Sequence, residues 1–198
     1  AEALKSLLTP EFELVGVVED GRALVEAAAR LRPDVIVADV TMPHLNGIDA
    51  LIQLRQGGDQ VPVVFLTMHR DVTFARRALD AGASGFVLKH SAPAELVTAI
   101  RAALAGKTYL TPQLAGEVLE AMKQAPERAA DPIASITPRQ REVLQLLAEG
   151  RSAKEIASSL SISARTVEFH KYQLMETLGL HTNAELVHFA IKHGLVEL

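Results

Sequence analysis

The chain is 198 residues long, 48% apolar, free of cysteine, and carries a formal net charge of -4. That length accommodates one large domain or two small ones. The lack of cysteine excludes disulfides and thiol catalysis, and the acidic balance excludes a protein that coats nucleic acid indiscriminately. No run of about eighteen apolar residues offers a membrane span. No charged-then-apolar leader opens the chain, so the cytoplasm is the expected compartment.

Residues 12–106 alternate strand and helix signals. Phe12 to Val18 reads as a strand, and Gly21 to Leu31 as a helix with an Ala-rich face. Val35 to Ala38 is the next strand, closed by Asp39 and followed by a loop from Val40 to Asn46. A helix is expected over Gly47 to Gln56, then a strand over Val63 to Leu66 closed by Thr67. A helix over Asp71 to Ala81, a strand over Phe86 to Leu88 closed by Lys89, and a helix over Pro93 to Leu104 complete the series. Short β-branched runs alternating with helices imply right-handed crossovers and a parallel sheet.

Residues 107–134 read as a linker containing one helix. Thr111-Pro112 is a helix start, with the hydroxyl as cap and proline at the first helical position. Leu114, Val118, Leu119 and Met122 give that helix an apolar stripe. From Gln124 to Pro132 periodicity is lost, which predicts a flexible tether.

From Thr137 onward the pattern is helical. Thr137 with Gln140, Ser152 with Glu155, and Thr182 with Glu185 each match the capping box. Ser163 is placed to cap a further helix over Ala164 to Leu178, which Gly179 ends. The charges of residues 137–198 balance at seven of each sign, and four of the seven histidines lie there.

Between Lys154 and Leu174 a short helix, a tight turn and a longer helix follow one another. Ala157 is small where the two would cross, and Leu160, Ile162 and Val167 are core candidates. The spacing suits a helix-turn-helix, whose second helix enters the major groove of DNA. Arg165, Glu168, Phe169 and Tyr172 share the outward side of that helix, with His170 and Lys171 nearby. A helical bundle with a solvated mixed-charge face is the ordinary alternative.

Ser135 to Leu144 (SITPRQREVL), Ala153 to Ala157 (AKEIA) and Arg165 to Lys171 (RTVEFHK) closely resemble the LuxR-type helix-turn-helix. The resemblance covers nearly all of residues 135–196. It implies that the helix containing Thr166 and Val167 reads DNA, that Lys154, Arg165, Thr166, Glu168, Phe169, His170, Lys171 and Tyr172 form the interface, and that the last helix pairs two subunits. Glu168 departs from the Lys that many relatives carry. A carboxylate there can accept from a cytosine amino group or pair with Arg165 or Lys171, and the ion pair is the favoured expectation.

Asp39, Thr67 and Lys89 close three different strands. Singly each has an ordinary explanation, as a loop cap, a turn hydroxyl or a surface amine. Together they deliver an acid, a hydroxyl and an ammonium to one sheet edge, where α/β folds place their reaction sites. A carboxylate can form an acyl phosphate, a hydroxyl can donate to a phosphoryl oxygen, and an ammonium can neutralise its charge.

Pro33 to Gly47 (PDVIVADVTMPHLNG), Phe65 to Met68 (FLTM) and Ala81 to Lys89 (AGASGFVLK) resemble the response-regulator receiver domain, over about residues 1–106. With the C-terminal module this points to the NarL/FixJ subfamily. The resemblance implies a flavodoxin-like α/β fold of strand order 2-1-3-4-5. It implies Asp39 as phosphoacceptor, Thr67 and Lys89 as switch residues, and Phe86 at the aromatic switch position. The main-chain carbonyl of Thr41 would join Asp39 in binding Mg²⁺.

Receivers of this kind open with a strand ending in an acidic pair that holds the metal. Glu19-Asp20 cannot be that pair, because nineteen positions separate Asp20 from Asp39, and one helix and one strand fill them. Phe12 to Val18 is therefore expected to be the second strand, and Ala1 to Leu8 the end of the first helix. The first strand is expected in roughly 15–20 residues preceding Ala1; otherwise the chain is a variant that is not phosphorylated.

The sequence thus predicts no enzyme but a DNA-binding transcription factor, controlled by phosphorylation of Asp39 by a sensor histidine kinase and acting as a homodimer away from membranes. The alternative is a phosphorylation-independent regulator whose receiver serves dimerisation or partner docking.

Overall fold

The computed structural model describes residues 2–68, 72–123 and 132–196. The chain divides into two compact units, residues 1–40 with 47–125, and residues 41–46 with 126–198.

In the first unit, α1 (Glu2–Leu8) and α2 (Gly21–Leu31) precede β1 (Ile36–Asp39), α3 (Gly47–Gln56) and β2 (Val63–Thr67). Then come α4 (Val72–Asp80), β3 (Gly85–Leu88), α5 (Ala92–Leu104), β4 (Tyr109–Leu110) and α6 (Pro112–Lys123). The four strands form one parallel sheet in the order β1-β2-β3-β4. Every residue of β2 and β3 is buried, which is why both strands are continuous apolar runs rather than alternating ones. Val64, Leu66 and Val87 pack against Leu96, Ala99, Ile100 and Ala103 of α5. Phe65 and Phe86, register partners, are fully buried, each contributing about 1.5–3 kcal/mol relative to exposure.

Three expectations are corrected here. Phe12 to Val18 forms no strand: it joins no ladder, and Leu14, Val15 and Val17 are 45%, 50% and 54% exposed. A strand exists only through its neighbour's N–H and C=O groups, and no described residue supplies one. β1 likewise pairs only with β2 among the described residues. Second, β4 is an element that the linker reading lacked, pairing Tyr109 with Gly85 and Leu110 with Phe86. Third, Leu119 lies 57% exposed, although Leu114 and Val118 of the same helix are buried. The side chain of Met122, the start of α4 at Asp71 and all but the last residue of the tether expected over Gln124 to Pro132 lie outside the described residues; Pro132 itself opens a 3-10 turn.

The second unit carries a 3-10 turn (Pro132–Ser135), α7 (Pro138–Ala148), α8 (Ala153–Leu160), α9 (Ala164–Leu178) and α10 (Asn183–Lys192). Thr137, Ser152 and Thr182 each form the complete capping box with Gln140, Glu155 and Glu185, and Ser163 caps α9 through the N–H of Thr166. Each cap contributes about 1 kcal/mol. Gly179, at φ 65°, ends α9 in the left-handed conformation that glycine adopts without strain. Val143, Leu144, Ile156, Leu160, Val167, Leu174, Leu186 and Ala190 form one core.

Candidate functional site

The first site is built at the carboxyl ends of β1, β2 and β3. Strand ladders fix the positions. Asp39 is the register partner of Leu66 in β2, and Thr67 is the partner of Leu88 in β3. Lys89, the residue after β3, donates its backbone N–H to the Thr67 carbonyl at 2.8 Å. Its ammonium donates to Asp39 Oδ2. The three predicted residues are therefore brought together, with the acid and the amine in direct contact and Thr67 buried between their strands. Phe86 is fully buried in β3, and Thr41 lies two residues beyond Asp39 in the loop.

Sequence reasoning did not single out Gly47, the first residue of α3. A Cβ built there would lie 2.1 Å from the Asp39 carbonyl oxygen and 2.8 Å from a Phe65 ring carbon. Its N–H donates to the Val40 carbonyl at 2.8 Å. Glycine lets the helix start close against the strand end that carries Asp39. The signal was present as Asn46-Gly47, a turn dipeptide at a helix start.

Thr111 was read as a helix cap through its hydroxyl, and the structure corrects this. The hydroxyl accepts the Leu88 N–H at 3.1 Å and donates to Glu95 Oε2 at 2.8 Å. The Thr111 carbonyl, instead, accepts the Leu114 N–H at 2.9 Å. Its N–H donates to the Phe86 carbonyl. Fully buried, Thr111 ties β3, α5 and the start of α6 together. Burial, with the Glu95 carboxylate adjoining, also holds the Tyr109 hydroxyl above its ordinary pKa.

The described residues do not make up a Mg²⁺ site. Asp20, the sequence neighbour that could be mistaken for a ligand, accepts the N–H groups of Arg22 and Ala23 at 2.9 Å as the cap of α2. Among the described residues no three His, Asp or Glu side chains gather as a metal site. A hard divalent cation needs several oxygen ligands in near-octahedral array, and Asp39 is already paired with Lys89.

The second site is the outward face of α9. Val167 and Leu174 turn into the core, while Arg165, Glu168, Phe169, Tyr172 and Glu176 are exposed at helical spacing along the opposite side. Phe169 and Tyr172 are 55% and 66% exposed. Thr166 serves the helix start: its N–H donates to Ser163 Oγ at 3.0 Å and the two hydroxyls lie 2.8 Å apart. Glu168 faces the Lys171 ammonium at 3.9 Å, the outer limit of an ion pair, and stays largely in solvent. Lys171 and His170 are half-buried beside the stripe, and Lys154 is exposed on α8. The arrangement offers cations, a carboxylate and two aromatic faces on a rigid helix, which suits a groove with polar and methyl-bearing edges.

Residues 1–101 match the model of the response regulator receiver domain, and residues 134–190 match that of the bacterial regulatory proteins of the luxR family. The chain belongs to the response-regulator family and joins a receiver to a LuxR-type module. It is 34% identical to the transcriptional regulatory protein MctR of Rhizobium johnstonii, over 98% of this chain and 89% of that one. It is 30% identical to the response regulator UvrY of Escherichia coli K12, over 93% and 84%. The solved structure of two RcsB dimers bound to two parallel DNAs resembles it at 26% identity with a TM-score of 0.57, covering 95% of this chain and 90% of that one. No helix among the described residues is long and apolar enough to cross a membrane.

Proposed function

We propose that this chain is a cytoplasmic DNA-binding response regulator, a transcription factor whose receiver, residues 1–106, is phosphorylated on Asp39 by a sensor histidine kinase. Residues 107–134 form the linker and residues 135–198 the DNA-binding domain, which acts as a homodimer on two half-sites. The observation that carries the reading is the Lys89–Asp39 ion pair at the strand edge, in one chain with the exposed reading face of α9.

The Asp39 carboxylate oxygen attacks the phosphorus of the donor phosphohistidine. A P–O bond forms, the P–N bond breaks, and the electron pair leaves on the imidazole. The Lys89 ammonium, already at Asp39, offsets charge on the transferred phosphoryl oxygens, and the Thr67 hydroxyl donates to one of them. Both residues lie on the ladder that runs through β3, so their movement reaches Phe86, a buried aromatic of the same strand, and biases the switch between two receiver states. Mg²⁺ is the ion that the family resemblance implies, held by Asp39 and the Thr41 carbonyl together with further carboxylates. The described residues do not complete that set. Lys154, Arg165, Thr166, Glu168, Phe169, His170, Lys171 and Tyr172 form the DNA interface, in which the cations approach phosphates and the stripe on α9 faces the bases.

Labelling with a phosphorus-32 phosphodonor tests the reading. The native chain should take up hydroxylamine-labile label, and Asp39→Asn should take up none. Label that persists in Asp39→Asn refutes the assignment of the acceptor.

A further inference from the structure

Resting on the reading of α9 as the DNA-reading helix, we infer that its exposed face selects pyrimidines: Phe169 packs on the 5-methyl group of a thymine, and Glu168 accepts from the N4 amino group of a neighbouring cytosine. An exposed Phe side chain cannot contact phosphate favourably, and its solvent exposure of 55% leaves apolar surface that only burial against a partner removes. The major-groove edge of B-DNA offers one apolar group, the thymine methyl. Phe169 lies on the same stripe as Arg165, about one turn beyond it and within the first two turns of α9 after the Ser163 cap, in the N-terminal part of a recognition helix that meets base edges.

Glu168 adds the second element. A carboxylate is an acceptor only, so it repels phosphate and the acceptor pair of guanine, and the cytosine amino group is the base-edge donor it matches best. Its contact with Lys171 is loose, at 3.9 Å, and leaves the carboxylate 59% exposed. The reach to a base is therefore open. Lys171 moderates the repulsion from the backbone while Glu168 is free to choose the base. Tyr172, one turn further along the same face, extends the apolar surface toward the rim of the groove.

The test uses the full chain and a half-site duplex recovered by selection from random DNA. Each dT is replaced singly by deoxyuridine, which removes only the methyl, and Kd is measured at fixed salt for the native chain, Phe169→Ala and Phe169→Leu. One position should weaken the native chain about threefold to fivefold, the effect of one buried methyl. That penalty should vanish in Phe169→Ala and largely persist in Phe169→Leu. In a parallel selection, Glu168→Gln should exchange a preferred cytosine for adenine, the base that Gln pairs bidentately. Equal uracil penalties in native chain and Phe169→Ala, or an unchanged selected base in Glu168→Gln, overturn the inference while leaving the DNA-binding reading intact. If the native chain binds no duplex even at low salt, the DNA-binding reading falls and takes the inference with it.

Discussion

Lys89 reaches Asp39 across fifty residues of sequence, its ammonium on the carboxylate while its backbone N–H holds the Thr67 carbonyl. One residue thus connects all three strand ends. Both side chains of the pair are about a third exposed, so the contact contributes little to stability, about 0–1 kcal/mol. Lys89→Ala should leave the thermal midpoint nearly unchanged and yet remove most of the change in DNA affinity caused by a phosphodonor. A large fall in the midpoint, with the phosphodonor response preserved, would make Lys89 a structural residue instead.

Gly47 should be intolerant of a side chain. The Cβ of Gly47→Ala would sit 2.1 Å from the Asp39 carbonyl oxygen, and relief requires α3 or the end of β1 to move, at a cost of about 1–3 kcal/mol. Gly116, within α6, has nothing within 4 Å of its would-be Cβ. Gly116→Ala should stabilise the chain by about 0.5–1 kcal/mol through helix propensity. Urea titrations of the two variants read the opposite signs.

The second unit should weaken in acid. The hydroxyl and then the N–H of Ser152 hold the Glu155 carboxyl below its ordinary value of 4.5, and the N–H groups of His181 and Thr182 do the same for Glu185. A folded pKa below the unfolded one contributes stability that is complete above the unfolded value and is lost as pH falls through the folded value. Helicity of the native chain, followed from neutrality downward, should fall off through the carboxylate range. The double variant Glu155→Gln, Glu185→Gln should show a smaller acid-dependent loss, and equal loss in both chains would remove the capping carboxylates from the explanation.

Phosphate contacts and base contacts separate by salt. Lys154→Ala should weaken binding to all duplexes alike and lower the slope of log K against log salt by about one. Fluorescence anisotropy across a salt series measures it. An unchanged slope with altered sequence preference would place Lys154 at a base edge.

Local signals were legible in the sequence, and pairing was not. The hydroxyl–carboxamide and hydroxyl–carboxylate spacings at Thr137, Ser152 and Thr182 located three helix starts to the residue, because a capping box is satisfied within four residues of chain. The apolar runs ending at Asp39, Thr67 and Lys89 likewise foretold the strand ends: full burial leaves β2 and β3 as continuous apolar runs, and β1 is apolar up to Asp39 although only Ala38 in it is buried. Phe12 to Val18 has the composition of a strand and makes none, because a strand's hydrogen bonds depend on a partner that its own composition cannot report. β4 is two residues long, too short to show periodicity, and exists through its ladder with β3. Thr111 and Gly47 carry the same lesson at the site. Thr111 precedes a proline-started helix, so a cap was the natural reading, but its hydroxyl is claimed by Leu88 and Glu95 from elsewhere in the fold. Gly47 is required by the approach of a helix to a strand end, a distance that no local pattern encodes.

The most direct measurement is the affinity of the full chain for a duplex carrying two half-sites one helical turn apart, before and after treatment with a phosphodonor, with Asp39→Asn in parallel. Phosphorylation should tighten binding of the native chain at least tenfold, with a steep dependence on protein concentration as two subunits assemble, and leave Asp39→Asn unchanged. Equal affinity with and without the donor, or an equal response in Asp39→Asn, would contradict control through Asp39 and leave a regulator that binds DNA independently of phosphorylation.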